Sequence, residues 1–169
     1  MQVSIKDKLL QSIISSRALY HKLILLVGLS GSGKTPILNE IAAHFNQSVI
    51  NVNLEISEKL LEVPQKQRPL KISGIIGDLI GSSEGTAIEG TAILDNLEIL
   101  FDMELKQDPL RLLLSNARNR MVLASWNGTY KDGRLVYAET GHQEYRVYNA
   151  QDIADTIIVC TEQRGEVVK

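Results

Sequence analysis

Between a short aliphatic run and a stretch of helical spacing, the chain carries Gly28-Leu-Ser-Gly-Ser-Gly-Lys-Thr35, which satisfies the pattern G-x-x-x-x-G-K-[ST] in full. The glycines let the backbone bend so that successive amides point at one anion, and a helix starting near Lys34 adds its positive end. At this chain's own residue frequencies, an accidental match arises in roughly one of two hundred such chains. The pattern predicts a cradle for the phosphates of a magnesium-bound nucleoside triphosphate, built from Gly28, Ser30, Gly31, Ser32, Gly33, Lys34, Thr35 and Pro36. Lys34 would neutralise β- and γ-phosphate charge, and the Thr35 hydroxyl would ligate Mg²⁺.

The flanking segments predict the fold. Leu23 to Val27 is an unbroken aliphatic run that stops at Gly28, as a strand buried on both faces does. Thr35 to Phe45 places Ile37, Leu38, Ile41, Ala42 and Phe45 on one side of a helix, with Pro36 in its first turn. An amphipathic helix over residues 1–20 precedes them, with Ser4 and Asp7 as a cap box. Ser48 to Asn53 reads as a second strand, and Leu54 to Val63 as a helix closed by Pro64 and Pro69. Ile72 to Ile80 reads as another helix, Ser82 to Gly90 as a glycine-bearing loop, and Thr91 to Asp95 as a strand. A helix follows Pro109, and Arg120 to Ser125 forms a strand. Strands alternating with helices predict one α/β domain over 1–169, a three-layer sandwich around a mostly parallel sheet. Residues 128–149 break the alternation and read as a β-excursion with a hairpin at Asp132-Gly133. A last core strand over Thr156 to Cys160 and a flexible tail over 162–169 complete the chain.

Two further positions carry chemistry. Asp95 ends the Ala92-Ile-Leu-Asp95 run and is the natural partner of Thr35 in holding Mg²⁺. The next residue is Asn96, which cannot accept a proton as a general base. Hydrolysis would then be slow, or Glu98 would supply the base, or a partner would complete the site. Asn127 follows the strand of Met121 to Ala124, where it would orient a water or touch the γ-phosphate. Arg118 stands just before that strand, in a place suited to an arginine finger offered to a neighbouring subunit or to a plain helix-end cation. His21, His44 and His142 have no metal-ligand spacing, and Trp126 reads as a packing residue.

Composition excludes several classes. With 44% apolar and 22% charged residues the chain is globular, and a net charge of −2 gives no support for direct nucleic-acid binding beyond a local basic patch. Cys160 is the only cysteine, so no internal disulfide can form. Neither a signal peptide nor a membrane span is legible, which predicts a cytoplasmic protein with no membrane partner.

The glycine loop, Ala92-Ile-Leu-Asp95 and Val122-Leu-Ala-Ser-Trp-Asn127 together resemble the Walker A, Walker B and sensor-1 elements of AAA+ and related ATPases. Over residues 3 to 160 the chain is similar to the BrxF family, the small P-loop proteins of type III BREX bacteriophage-exclusion systems. That likeness runs through the loop, Leu94-Asp-Asn-Leu-Glu-Ile-Leu-Phe101 and the Leu110-Arg-Leu112 helix. The first resemblance implies ATP, Mg²⁺ and nucleotide-driven homo-oligomers. The second implies a defence complex with a methyltransferase, a PglZ-like protein and a helicase. The chain departs from AAA+ at Asn96, where many of these ATPases carry Glu, and has too few residues after Cys160 for their helical lid. A weak ATPase is the leading expectation. A nucleotide-gated scaffold without turnover is the second, and a small-molecule kinase the third, since residues 130–148 offer only Arg134 and Arg146 for a lid.

Overall fold

The structure, a computed structural model, describes residues 3–82, 90–118, 120–138 and 143–161. Most of the expected loop over Ser82 to Gly90, the tail over 162–169 and part of the β-excursion lie outside the described residues. The elements run α1 (Ile5–Ser16), β1 (Leu23–Gly28), α2 (Lys34–His44), β2 (Ile50–Asn51), α3 (Val52–Leu60), α4 (Arg68–Gly81) and β3 (Thr91–Asp95). Two short 3₁₀ turns, Glu98–Phe101 and Met103–Leu105, lead into α5 (Pro109–Asn116). β4 (Met121–Lys131), β5 (Arg134–Tyr137), β6 (Arg146–Tyr148) and β7 (Thr156–Cys160) complete the fold.

Five strands form a parallel sheet in the order β2-β3-β4-β1-β7, and β5 and β6 extend β4 in antiparallel pairing. Every residue of β1 is buried, because successive side chains enter opposite cores. Ile24 and Leu26 meet Leu9 and Ile13 of α1 and Leu38 and Ile41 of α2. Leu23, Leu25 and Val27 join Val52 and Ile56 of α3, Ile72 and Ile76 of α4 and Leu113 of α5. Helices thus cover both faces of a mostly parallel sheet, an α/β arrangement compatible with a three-layer sandwich.

Three local expectations are corrected. The second strand does not reach Asn53; β2 holds only Ile50–Asn51. Asn51 stops it by capping α3, its side chain accepting the Leu54 N–H at 3.1 Å, which turns Val52 and Asn53 into the first helical turn. Pro69 opens α4 instead of closing the preceding helix, since a first-turn proline forfeits no helical hydrogen bond. The strand expected to end at Ser125 runs on as β4 to Lys131 and turns at the expected Asp132-Gly133 hairpin.

That hairpin acts as a roof. Leu135, Tyr137 and Tyr148 belong to the same core as Leu23, Leu25 and Val27, so β5 and β6 lie over the sheet face beside the helices. The turn onto the face happens at Trp126 to Gly128. The Trp126 indole N–H donates to the Val136 carbonyl at 3.1 Å, and the Ala138 amide donates to Asn127 O at 3.0 Å. Backbones approach so closely there that a Cβ on Gly128 would collide with the Val136 carbonyl. Beneath the roof, Tyr137 stacks on Phe101 at 3.4 Å between ring centroids, and Trp126 meets both rings edge-on.

Gly128→Ala is expected to lower stability by about 2 kcal/mol or more, because the added methyl has no free volume; a urea-unfolding midpoint equal to wild type would contradict this packing. A pH effect follows from the roof tyrosines. Burial raises the Tyr137 phenol above its usual value, with Glu98 and then Glu144 adding to the shift. Burial also raises Tyr148, reinforced by Asp108, whose carboxylate accepts its hydroxyl at 2.9 Å, and opposed by Arg146. A phenol whose folded pKa is raised contributes stability that is intact below the unfolded value near ~10 and lost as pH climbs above it. The thermal midpoint is expected to hold from pH ~8 to ~10 and then fall, and Tyr148→Phe to start lower but decline less steeply.

Candidate functional site

The loop between β1 and α2 opens at the carboxyl end of β1. Gly33 sits at the N-cap of α2 with φ 92°, a left-handed conformation that a side chain would strain. α2 has neither a side-chain cap nor an acidic residue in its first turn, whereas Ser4, Asn51 and Asp108 cap α1, α3 and α5. Its leading amides and positive dipole end therefore face an exposed loop, Ser30 to Gly33, with no internal anion to satisfy them. Lys34 is only 6% exposed. Its Nζ donates to Gly28 O at 2.8 Å, Leu29 O at 2.7 Å and Ser32 Oγ at 3.4 Å, so the ammonium lies under the loop. Burial pulls its pKa below the usual lysine value, while Asp95 and then Glu98 push the other way.

Parallel register gathers the remaining groups. Gly28 is level with Asn127, Leu94 with Ala124 and Asn51 with Asp95, so β1, β4, β3 and β2 all end along one rim. The Thr35 hydroxyl donates to Asp95 Oδ2 at 2.6 Å. Asp95 Oδ1 accepts from the Ser125 hydroxyl at 2.6 Å and from the Asn96 amide at 3.0 Å. Beside this cluster stands Glu98, with Oε1 accepting from Asn127 Nδ2 at 2.6 Å and Oε2 from Asn53 Nδ2 at 3.0 Å. Asn53 is fixed in turn, its Oδ1 accepting the Ile99 N–H at 2.7 Å.

Of the residues expected from sequence, the loop, Lys34, Thr35, Asp95, Glu98 and Asn127 come together at this rim. Pro36 lies exposed in the first turn of α2. Arg118 stands elsewhere, at the opposite end of the sheet before β4, with its guanidinium 5.5 Å over the Tyr20 ring and Nε donating to His21 Nε2 at 3.4 Å. It does not enter this chain's own rim. Sequence reasoning missed the roles of Asn53 and Ser125; the usable signal was a polar residue at the carboxyl end of each apolar run. Asn96 acquires a structural reason, because its φ of 57° is left-handed, a region that asparagine tolerates.

Thr35 and Asp95 present hard oxygen donors in mutual contact, the donor set that suits Mg²⁺ with water and phosphate oxygens completing the shell. Among the described residues no group of three or more His, Cys, Asp or Glu could hold a metal by protein ligands alone. No described helix is long and apolar enough to cross a membrane. Comparison with protein-family models, with curated proteins and with solved structures finds no match to this chain.

Because burial disfavours the charged Lys34, Lys34→Met is expected to leave the thermal midpoint of the ligand-free protein equal or higher. A loss of several degrees would mean that the ammonium stabilises the fold through its hydrogen bonds.

Proposed function

We propose that the chain binds ATP with Mg²⁺ at the rim of β1, β3 and β4 and hydrolyses it slowly, as one subunit of a homo-oligomer. The observation that carries this reading is the 2.6 Å contact between the Thr35 hydroxyl and Asp95, beside the buried ammonium of Lys34. A glycine loop with an uncapped helix start suits polyphosphate, and the hydroxyl–carboxylate pair suits its metal. Mg²⁺, when bound with the nucleotide, would neutralise charge on the β- and γ-phosphate oxygens.

In this reading the chain's own residues divide the work. Loop amides and Lys34 bind the phosphates. Asp95, held by Ser125 and the Asn96 amide, keeps the Thr35 hydroxyl oriented. Glu98 takes the proton from a water as its oxygen attacks the γ-phosphorus and the bond to the ADP oxygen breaks. Asn127 positions Glu98. The acid thus comes from three residues beyond Asp95, replacing the one lacking at Asn96. The placement in a BREX-type defence complex, with a methyltransferase, a PglZ-like protein and a helicase as partners in the cytoplasm, rests on the sequence resemblance alone.

One observation favours the second reading, a nucleotide-gated scaffold without turnover: both Glu98 carboxylate oxygens are engaged by amide donors, Asn127 and Asn53, so a water must share an oxygen that already accepts a hydrogen bond. Phosphate release and calorimetric ATP binding separate the two. A slow ATPase requires release that rises with protein concentration, Lys34→Ala with neither binding nor release, and Glu98→Gln with intact binding and at least ~100-fold slower release. Stoichiometric binding with no release in any condition selects the scaffold. Absence of ATP binding in the unmodified protein overturns both.

A further inference from the structure

The net charge of −2 hides an uneven distribution. At the end of the sheet opposite the glycine loop, Lys22 precedes β1, Arg118 and Arg120 precede β4, and Arg17 closes α1. The hairpin tip adds Lys131 and Arg134, which face each other in register across the turn. Among the described residues Asp78 in the last turn of α4, Asp132, Asp152 and Asp155 bring negative charge to this end, and Asp155 lies 3.4 Å from His21 Nδ1. Among the described residues the buried Nη1 of Arg120 has no hydrogen-bond partner.

Between the α1–β1 connection, Tyr130 and the segment leading into β7 lies a cleft of about 370 Å³, a size that accommodates a small ligand or a base. Two aromatic rings, Tyr20 and Tyr130, line it together with Leu19, Ile153 and Ile157, and His21 and Asp155 form its polar part. Tyr20 is 70% exposed and meets the His21 ring edge-on at 4.8 Å between centroids. Arg118 lies over the Tyr20 ring, which holds a guanidinium at the cleft mouth. Cations along a surface with aromatic faces set among them match a strand of alternating phosphates and bases, and the tyrosine-lined cleft gives an unstacked base somewhere to go.

We propose that this end of the molecule binds single-stranded nucleic acid, with phosphates on Arg118, Lys22, Lys131 and Arg134 and a base against Tyr20 in the cleft. Bases paired in a duplex are already stacked and cannot enter such a cleft, so duplex binding should be weaker. β1 spans six residues at about 3.3 Å each, which separates this face from the glycine loop by roughly 20 Å. The two sites are therefore testable apart, and the proposal does not depend on what the loop binds.

The test is fluorescence anisotropy on the full chain with labelled oligothymidylate and oligouridylate of about twenty nucleotides, and with a duplex of the same length. Single strands are expected to bind, with affinity falling about tenfold or more between 50 and 200 mM salt. Tyr20→Ala and the paired Lys131→Glu/Arg134→Glu variant should each weaken binding about tenfold, while Lys34→Ala binds as the parent does. Since the hairpin variant alters exposed side chains only, a folding defect at Tyr20 would not shelter the proposal. A preference for the thymidylate or uridylate strand identifies the natural source as DNA or RNA. Equal affinity for duplex, equal displacement by polyglutamate, or parent-like binding by both variants would overturn it.

Discussion

The rim is organised around a contact between Thr35 and Asp95, residues 60 apart in sequence and 2.6 Å apart in space. It exists because β3 and β4 run parallel to β1 and end level with it, which a hairpin connection could not achieve. Parallel strands need crossovers, and the crossovers are the helices that bury both sheet faces. The demand for a carboxylate near the loop and the demand for a dry sheet are therefore met by one topology. Lys34 shows the tension in that solution: desolvation disfavours its charge, and Asp95 and Glu98 only partly offset the penalty. The disfavoured cation thus lies beneath a helix start that no side chain caps.

Around this cluster the polar groups are supported in shells. Ser125 and the Asn96 amide occupy one oxygen of Asp95 and leave the other for Thr35. Asn53 from the first turn of α3 and Asn127 from β4 brace Glu98, and the Ile99 amide braces Asn53. Such bracing fixes the geometry of the carboxylate it holds.

β4 links the rim to the rest of the molecule. Its first half supplies Ser125 and Asn127 to the rim, and its second half turns at Gly128 into the roof over β1. The Trp126 indole ties the two halves through Val136, and Phe101, just past Glu98, stacks on Tyr137 of the roof. The same roof ends in the tip that carries Lys131 and Arg134 beside Tyr130. One strand thus touches the candidate phosphate site, the aromatic core and the basic face.

Much of this was legible before any coordinates. The glycine loop, the helix after it, the aliphatic runs of β1 and β3, the helix over Ile72 to Ile80 and the Asp132-Gly133 turn are local patterns, set by side-chain period and by backbone preferences of single residues. Asp95 and Asn127 were legible because each ends an apolar run. What stayed hidden involved partners distant along the chain. Asn53 looked like a strand residue until the Asn51 cap turned it into helix, and its worth lies in reaching Glu98, 45 residues away. Arg118 was read either as an arginine finger for a neighbouring subunit or as a helix-end cation; it precedes β4, and parallel pairing sends the start of that strand to the end of the sheet away from the loop. Likewise the basic face is invisible in a net charge, because charge sums along a chain while the field at a surface depends on which ends the fold brings together. Period and propensity act between near neighbours, so sequence determined the elements; register and direction act between distant segments, so only tertiary structure decided which chemistry meets.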